Sequence, residues 1–373
     1  MDIKKILAKN YVNFRGWSTR RKIVVIESDD WGSIRMPSVS ARRQLKEAGV
    51  PVDANKFTWL DTLERKKDLE RLFETLYKFK DRNGKCPVIT ANTLVANPHF
   101  EKIKRDQFST YHYETINDTY NRYHEPELFT YWLNEGIKEK LLYPQFHGRE
   151  HLNATRWLRL LKKGNERERM AFKHHALLGL PESNDRENWY MAAFECHNEK
   201  EKKEVEQMAA DGLKLFKRLF GFHSRSFVAS QSIFGYHVNA VLANNGVKYH
   251  QCGQQFLPVN GHLKIRNQFW GHTNEQGQIY WRRNCTFEPY KDQSADHITP
   301  CLNEIKIVFR WGKPAVINSH RINYVGGIDE NHREQSLKKL KQLIAAILKK
   351  WPDVEFITSE ELGDFMAKTI TRR

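Results

Sequence analysis

The chain has 373 residues, of which 40% are hydrophobic, so it can bury the core of one large domain or two ordinary ones. Its 61 basic and 45 acidic residues give a net charge of +16, but they occur in mixed runs typical of exposed helices, and no nucleic-acid-binding motif is present. We therefore do not expect nucleic acid as a partner, and the composition leaves the oligomeric state open.

The sequence also indicates where the protein acts. No apolar stretch reaches the roughly 18 residues of a membrane helix, and no apolar signal segment follows Met1. The five cysteines show no C-x-x-C spacing, which favours reduced thiols. We predict a cytoplasmic protein without a transmembrane segment, whose basic charge would suit the anionic inner surface of a membrane.

Apolar periodicity predicts alternating strands and helices along the whole chain. Strands are predicted at 22–28, 87–95, 141–146, 225–229, 247–252, 314–319 and 354–358. Helices are predicted at 61–80, 126–140, 152–180, 199–220, 236–245, 297–311 and 331–350. Residues 191–196 fit either a strand or the start of a helix. Strands separated by helices favour a parallel sheet or barrel, so we predict a single α/β barrel of seven or eight strands over 1–373, with a β-rich insertion near 255–290.

Three of the predicted strands end in acidic or imidazole side chains. These are Asp29 and Asp30 after the first strand, His147 and His151 after the third, and His320 after the sixth. The carboxyl ends of parallel strands meet at one edge of a sheet or at one mouth of a barrel, where α/β enzymes place their chemistry. We expect the five side chains to lie together at that mouth.

These residue types suit a metal site with a base and an acid, although each has a simpler explanation. Neutral imidazoles at His147 and His151 suit zinc, but 16 histidines make chance pairs common. Asp29 and Asp30 point apart on an extended chain, so one would bind a metal while the other accepts a proton from water; they could also form a turn or cap. His320 could protonate a leaving group or be a buried structural histidine.

The strings that carry these residues resemble the motifs of the polysaccharide deacetylase (NodB-homology) family of carbohydrate esterases. Ser-Asp-Asp at 28–30 is similar to the first motif, His-Gly-Arg-Glu-His at 147–151 to the second, and Val-Ile-Asn-Ser-His at 316–320 to the last. The segment 356–362 is similar to the family's closing strand and helix start. The resemblance runs in family order from about residue 22 to 365.

The resemblance implies a distorted (β/α)7-type barrel that hydrolyses N- or O-acetyl groups on a polysaccharide or glycan precursor. It implies that Asp29 is the base, that His320 is the acid, and that Arg225 orients the base, with Arg149 as a second candidate for that contact. A divalent metal, with zinc as the expected ion, would be held by Asp30, His147 and His151.

The sequence leaves two other functions open. The string 147–151 also fits H-x-x-E-H, the inverted zinc-protease motif, in which Glu150 would be the base on a helix. A barrel that binds carbohydrate without catalysis is the other alternative. Tryptophans at 31, 270 and 281 could stack on sugar rings in either carbohydrate function, although core packing is their simpler explanation.

Overall fold

The computed structural model describes residues 3–179, 189–259 and 262–371. Its strands are β1 (Ile23–Trp31), β2 (Ile89–Leu94), β3 (Ala96–Pro98), β4 (Tyr113–Thr115), β5 (Leu142–Gly148), β6 (Ser226–Phe227), β7 (Tyr249–His250), β8 (Gln254–Val259), β9 (His262–Asn267), β10 (Ile279–Tyr280), β11 (Cys285–Thr286), β12 (Ala315–His320) and β13 (Glu355–Phe356). Its helices are α1 (Ile3–Phe14), α2 (Val39–Glu47), α3 (Lys56–Leu60), α4 (Lys66–Leu76), α5 (Phe100–Arg105), α6 (Ile116–Arg122), α7 (Leu128–Tyr131), α8 (Ala154–Lys162), α9 (Glu166–Lys173), α10 (Glu199–Phe220), α11 (His237–Asn244), α12 (Ile298–Arg310), α13 (Glu330–Lys350) and α14 (Ser359–Ile370).

The central sheet has the strand order β10-β7-β6-β5-β2-β1-β12-β11, with β13 beside the start of β1, and its neighbours are all parallel. Strands β1, β2, β5 and β12 carry most of the pairing, because the other strands have only two residues each. Strands β8 and β9, from the predicted β-rich region, form a separate antiparallel hairpin.

The two ends of this strand order lie on one short stretch of chain, the segment 279–286. Its first part, β10, pairs with β7, and its last part, β11, pairs with β12. Between them the Trp281 N–H donates to the carbonyl of His250, and the Asn284 N–H donates to the carbonyl of Val316. The segment therefore moves from one edge of the curled sheet to the other, so the predicted α/β barrel of seven-strand type is confirmed.

The core explains why the barrel strands read as continuous apolar runs. All nine residues of β1 are buried, as is expected for a parallel strand covered on both faces. Trp31, at the end of β1, is fully buried and lies against the rings of Trp132 and Tyr324. This packing holds the carboxyl end of β1, and the acidic residues just before Trp31, in a fixed place.

Several predicted elements need correction. The predicted helix at 199–220 coincides with α10, but the predicted helix at 152–180 is two helices, α8 and α9, and residue 180 lies outside the described residues. The break falls where Gly164 adopts a left-handed φ of 79° and Asn165 caps α9. Residues 191–196 form neither strand nor helix. Within the described residues, no helix is both long and apolar enough to span a membrane.

Candidate active site

The carboxyl ends of β1, β5 and β12 meet at one mouth of the barrel, as the sequence predicts. Register pairs Asp29 of β1 directly with His320 of β12. Asp29, Asp30, His147, His151 and His320 all line one cleft of about 240 Å³. The structure therefore brings together the five residues that follow the three predicted strands.

Asp30 reaches this cleft because the backbone of β1 is distorted at that residue. From Ser28 to Trp31, β1 advances by three positions, whereas its partner β2 advances by only two, from Ala91 to Thr93. The extra residue on β1 is a β-bulge. Asp30 itself has a left-handed φ of 76°. On a regular strand the carboxylates of Asp29 and Asp30 would face opposite sides, whereas here both line the cleft.

Asp30, His147 and His151 form a buried cluster whose ligand-type atoms all lie within 4.8 Å of one another. Asp30 Oδ1 is 3.4 Å from Nε2 of His147 and 3.2 Å from Nε2 of His151. Burial would raise the pKa of Asp30, but the imidazole charges and hydrogen bonds outweigh it, so the pKa lies well below its usual range. Burial lowers the pKa of His151.

The donors of this cluster fit a divalent cation. His147 Nδ1 lies 2.8 Å from the carbonyl of Val228, which can only accept a hydrogen bond, so the ring proton resides on Nδ1. The lone pair of Nε2 then faces Asp30 Oδ1, and two buried acceptors at this separation need a proton or a cation between them. A carboxylate and two imidazoles are the ligand set typical of zinc-type sites, and the carbonyl of Val228 orients the ring as an outer partner commonly does.

Asp29 is held by a guanidinium that the sequence did not identify. Arg283 donates from Nη1 to Asp29 Oδ2 at 2.6 Å and from Nη2 to Oδ1 at 2.8 Å, while its Nε donates to Glu27 at 2.6 Å. Asn92 Nδ2 also donates to Asp29 Oδ1, at 2.8 Å. Burial would raise the pKa of Asp29, but Arg283 outweighs it and keeps the pKa well below its usual range.

His320 is oriented by a second carboxylate. Its Nδ1 lies 2.5 Å from Glu288 Oε1, and its Nε2 lies 3.9 Å from Asp29 Oδ2. Asn323 donates to the other oxygen of Glu288 at 2.8 Å, which fixes that carboxylate. Burial disfavours the charged imidazole, but the charge and hydrogen bond of Glu288 outweigh burial and raise the pKa of His320 to about 9.

The prediction that Arg225 orients Asp29 is wrong. Arg225 precedes β6, at the opposite end of the strands, and there it forms ion pairs with Glu360 and Asp364. Arg149, the second candidate, is bound to the carboxylate of Glu150 at 2.7 Å and lies over the ring of Tyr113. The physical reason is topological, because a side chain at the amino end of a barrel strand cannot reach a group at the carboxyl end.

The helical zinc-protease motif and the sugar-stacking role of three tryptophans, both considered from the sequence, lose their structural basis. His147 ends β5, and residues 149–153 form a turn and loop, so the H-x-x-E-H string is not on a helix. The three tryptophans proposed as sugar-stacking residues, at 31, 270 and 281, are each at most 1% exposed and belong to the core. Phe57 and Trp189 are aromatic residues that line the cleft, and the rings of Phe57 and Tyr290 lie beside His320 with centroids at 5.4 and 6.3 Å.

Arg283 and Glu288 could have been noticed only through weak signals. Arg283 follows Ile279-Tyr280-Trp281, and Glu288 follows Cys285-Thr286-Phe287, so each comes after a short apolar run. Such three-residue runs are too short to be separated from loop sequence by periodicity.

Comparisons with known proteins give similarity only at the level of solved structures. No protein-family model and no curated protein match the chain. The chain is similar to a Mycobacterium smegmatis protein assigned as a polysaccharide deacetylase, at 12% identity over 95% of this chain and 93% of that chain, with a TM-score of 0.45. It is similar to a Parabacteroides distasonis protein assigned as a glycoside hydrolase or deacetylase, at 9% identity over 95% and 73%, with a TM-score of 0.49. It is also similar to Puue allantoinase, at 10% identity over 93% and 91%, with a TM-score of 0.45. Structures assigned as deacetylases are thus among those to which this chain is similar.

Proposed function

We propose that this protein is a metal-dependent hydrolase that removes acetyl groups from a carbohydrate, either a polysaccharide or a glycan precursor. One observation carries the proposal: a buried cluster of one carboxylate and two imidazoles shares a cleft with two separately oriented proton-transfer groups. These are Asp29, held by Arg283, and His320, held by Glu288. Metal-dependent hydrolysis of an amide or ester uses such a base and acid together with a Lewis acid.

Asp30, His147 and His151 would hold the divalent ion, with zinc as the expected metal. When bound, such an ion polarises a carbonyl group and makes a water molecule more acidic. Three protein ligands would leave a coordination position for water or substrate on such an ion.

The protein's own groups would then move the protons. Asp29 accepts a proton from the attacking water, and the two hydrogen bonds from Arg283 keep its carboxylate ionised and in one orientation. His320, fixed through Nδ1 by Glu288, presents Nε2 to the cleft and donates a proton to the departing nitrogen or oxygen of the sugar. Phe57 and Tyr290 exclude water from one side of that imidazole.

The test of this function measures metal and acetate together. Purified protein is loaded with zinc and incubated with N-acetylated amino sugars, chitin oligomers and acetylated xylan, and released acetate is quantified. We expect acetate release that is lost, together with stoichiometric metal, in Asp30→Ala and His147→Ala. His223→Ala, at an exposed histidine, is the matched control and should change neither quantity. A protein that retains metal but releases no acetate from this panel would refute the deacetylase and favour a carbohydrate-binding barrel.

We also propose that the reaction takes place in the cytoplasm on a glycan precursor. The five cysteines are all free thiols, which is typical of a reducing compartment. Cell fractionation followed by immunodetection tests the location, and recovery from the periplasm or medium would contradict it.

A further inference from the structure

Arg35 is a buried cation beside the candidate active site that the mechanism above does not use. It follows β1 in the chain, its side chain is only 7% exposed, and it lines the same cleft as Asp30, His147 and His151. Burying an arginine is costly unless its charge is paired and its N–H groups are hydrogen-bonded.

The hydrogen bonds and the ion pair of Arg35 leave that requirement unmet within the described part of the chain, where its guanidinium also lies 5.8 Å from the ring centroid of Phe57. Its Nη1 donates to the sulfur of Met191 at 3.3 Å, which is a weak acceptor, and its Nε has no hydrogen-bond partner there. The nearest carboxylate in an ion pair with it, Asp61, is 4.0 Å away. Asp61 is already bound by two nitrogens of Arg321, at 2.9 and 3.2 Å. Arg35 therefore has donor capacity left for a group in the cleft.

The surface next to Arg35 is also basic. Asn55 and Phe57 line both the active-site cleft and an adjoining cleft of about 480 Å³. The adjoining cleft is further lined by Lys56 and Arg167, together with the ring of Tyr290. A ligand that spans both clefts would lie near the guanidinium of Arg35 in one and near Lys56 and Arg167 in the other.

From these contacts we infer that Arg35 binds an anionic group of the substrate, so the substrate is an acetylated sugar that carries a carboxylate or a phosphate. The inference rests on the proposed deacetylase function and names its substrate class. A guanidinium offers parallel N–H donors that match both groups. An anion in the cleft would pair with the positive charge of Arg35, because the carboxylate nearest to it, Asp61, is already bound by Arg321.

The kinetic test uses three substrates that share one N-acetyl group. N-Acetylglucosamine is neutral, N-acetylmuramic acid adds a carboxylate, and N-acetylglucosamine 6-phosphate adds a phosphate. We expect the wild-type enzyme to prefer one anionic sugar, which also distinguishes carboxylate from phosphate. Arg35→Gln should raise KM for that sugar by about 10- to 100-fold, the usual scale for losing a hydrogen bond to a charged group, and leave the neutral sugar nearly unchanged. Arg43→Gln, which removes an equal charge from an exposed site on α2, should change neither KM.

Binding experiments separate this inference from the proposed function. Calorimetry on metal-free protein with glucose, glucuronic acid and glucose 6-phosphate needs no turnover. Selective, Arg35-dependent binding of an anionic sugar by a protein that releases no acetate would leave the anion subsite standing while the deacetylase falls. If Arg35→Gln does not fold, Lys56→Gln at an exposed residue should still weaken anionic-sugar binding by about two- to fivefold. Wild-type protein that binds and turns over neutral and anionic sugars equally well overturns the inference.

Discussion

Arg283 binds both carboxylate oxygens of Asp29, at 2.6 and 2.8 Å, although the two residues are 254 positions apart in the chain. The same guanidinium binds Glu27 at 2.6 Å. One cation thus pairs two buried carboxylates on β1, and one of these is the proposed base. The same contact therefore stabilises the barrel and orients the proposed base.

Removing Arg283 should therefore reduce both stability and activity. In Arg283→Gln, two buried carboxylates lose their cation, which by the scale for broken buried ion pairs costs about 3–5 kcal/mol in the free energy of unfolding. Turnover should fall, because Asp29 loses its orientation. Arg283→Lys should recover little of the lost stability or turnover, because an ammonium group cannot make two parallel hydrogen bonds. Urea unfolding and acetate release measure the two effects.

Arg225→Gln is the matched comparison, since it removes an arginine ion pair at the other end of the barrel. Arg225 is 28% exposed, so its loss should cost about 1 kcal/mol or less and should leave turnover unchanged. Equal losses of turnover in the Arg225 and Arg283 variants would contradict the assignment of Arg283 to the base.

Asp29→Asn should separate proton transfer from metal binding. Its carboxylate is bound by Arg283 and Asn92, whereas the cluster with the two imidazoles uses Asp30. We expect stoichiometric zinc to remain while acetate release falls by about 10²–10⁴-fold, the usual contribution of a positioned base. Loss of zinc from this variant, measured by mass spectrometry, would show that Asp29 is a ligand and would reverse the two proposed roles.

The sequence indicates the parts of this site that are encoded locally. Asp29, His147 and His320 each follow a run long enough to be read as a strand, and parallel strands bring their carboxyl ends together. Arg283 cannot be found in this way, because its place depends on the segment 279–286 leaving β7 and joining β12. Arg225 lies beside a readable strand, but at its amino end. The apolar pattern locates the strand and does not identify the partner of a distant carboxylate.

Glu288→Gln should move the alkaline limit of activity to lower pH. The raised pKa of His320, about 9, comes from Glu288 and the aspartates outweighing burial. The protonated imidazole, which we propose as the proton donor to the leaving group, is therefore present below that pH and is lost as the pH rises through it. Without the charge of Glu288 the pKa of His320 falls, so the alkaline limb of the pH profile of kcat/KM should shift to lower pH by about one unit or more.

Nuclear magnetic resonance titration of His320 in metal-free protein checks the same shift without turnover. Glu330→Gln, at an exposed glutamate on α13, is the control and should leave the titration in place. An alkaline limb that does not move in Glu288→Gln would mean that another group sets it.

The left-handed backbone at Asp30 makes a prediction about stability alone. A non-glycine residue at a φ of 76° is strained by about 1 kcal/mol, and glycine relieves that strain. Asp30→Gly and Asp30→Ala both remove the carboxylate, so their difference isolates the backbone, and the glycine variant should be more stable by about 1 kcal/mol in metal-free urea unfolding. The control is the same pair of substitutions at exposed Lys214, inside α10. There the alanine variant should be the more stable one by a similar amount, because glycine weakens a helix interior. If Asp30→Ala is the more stable variant, the bulge does not hold Asp30 under backbone strain.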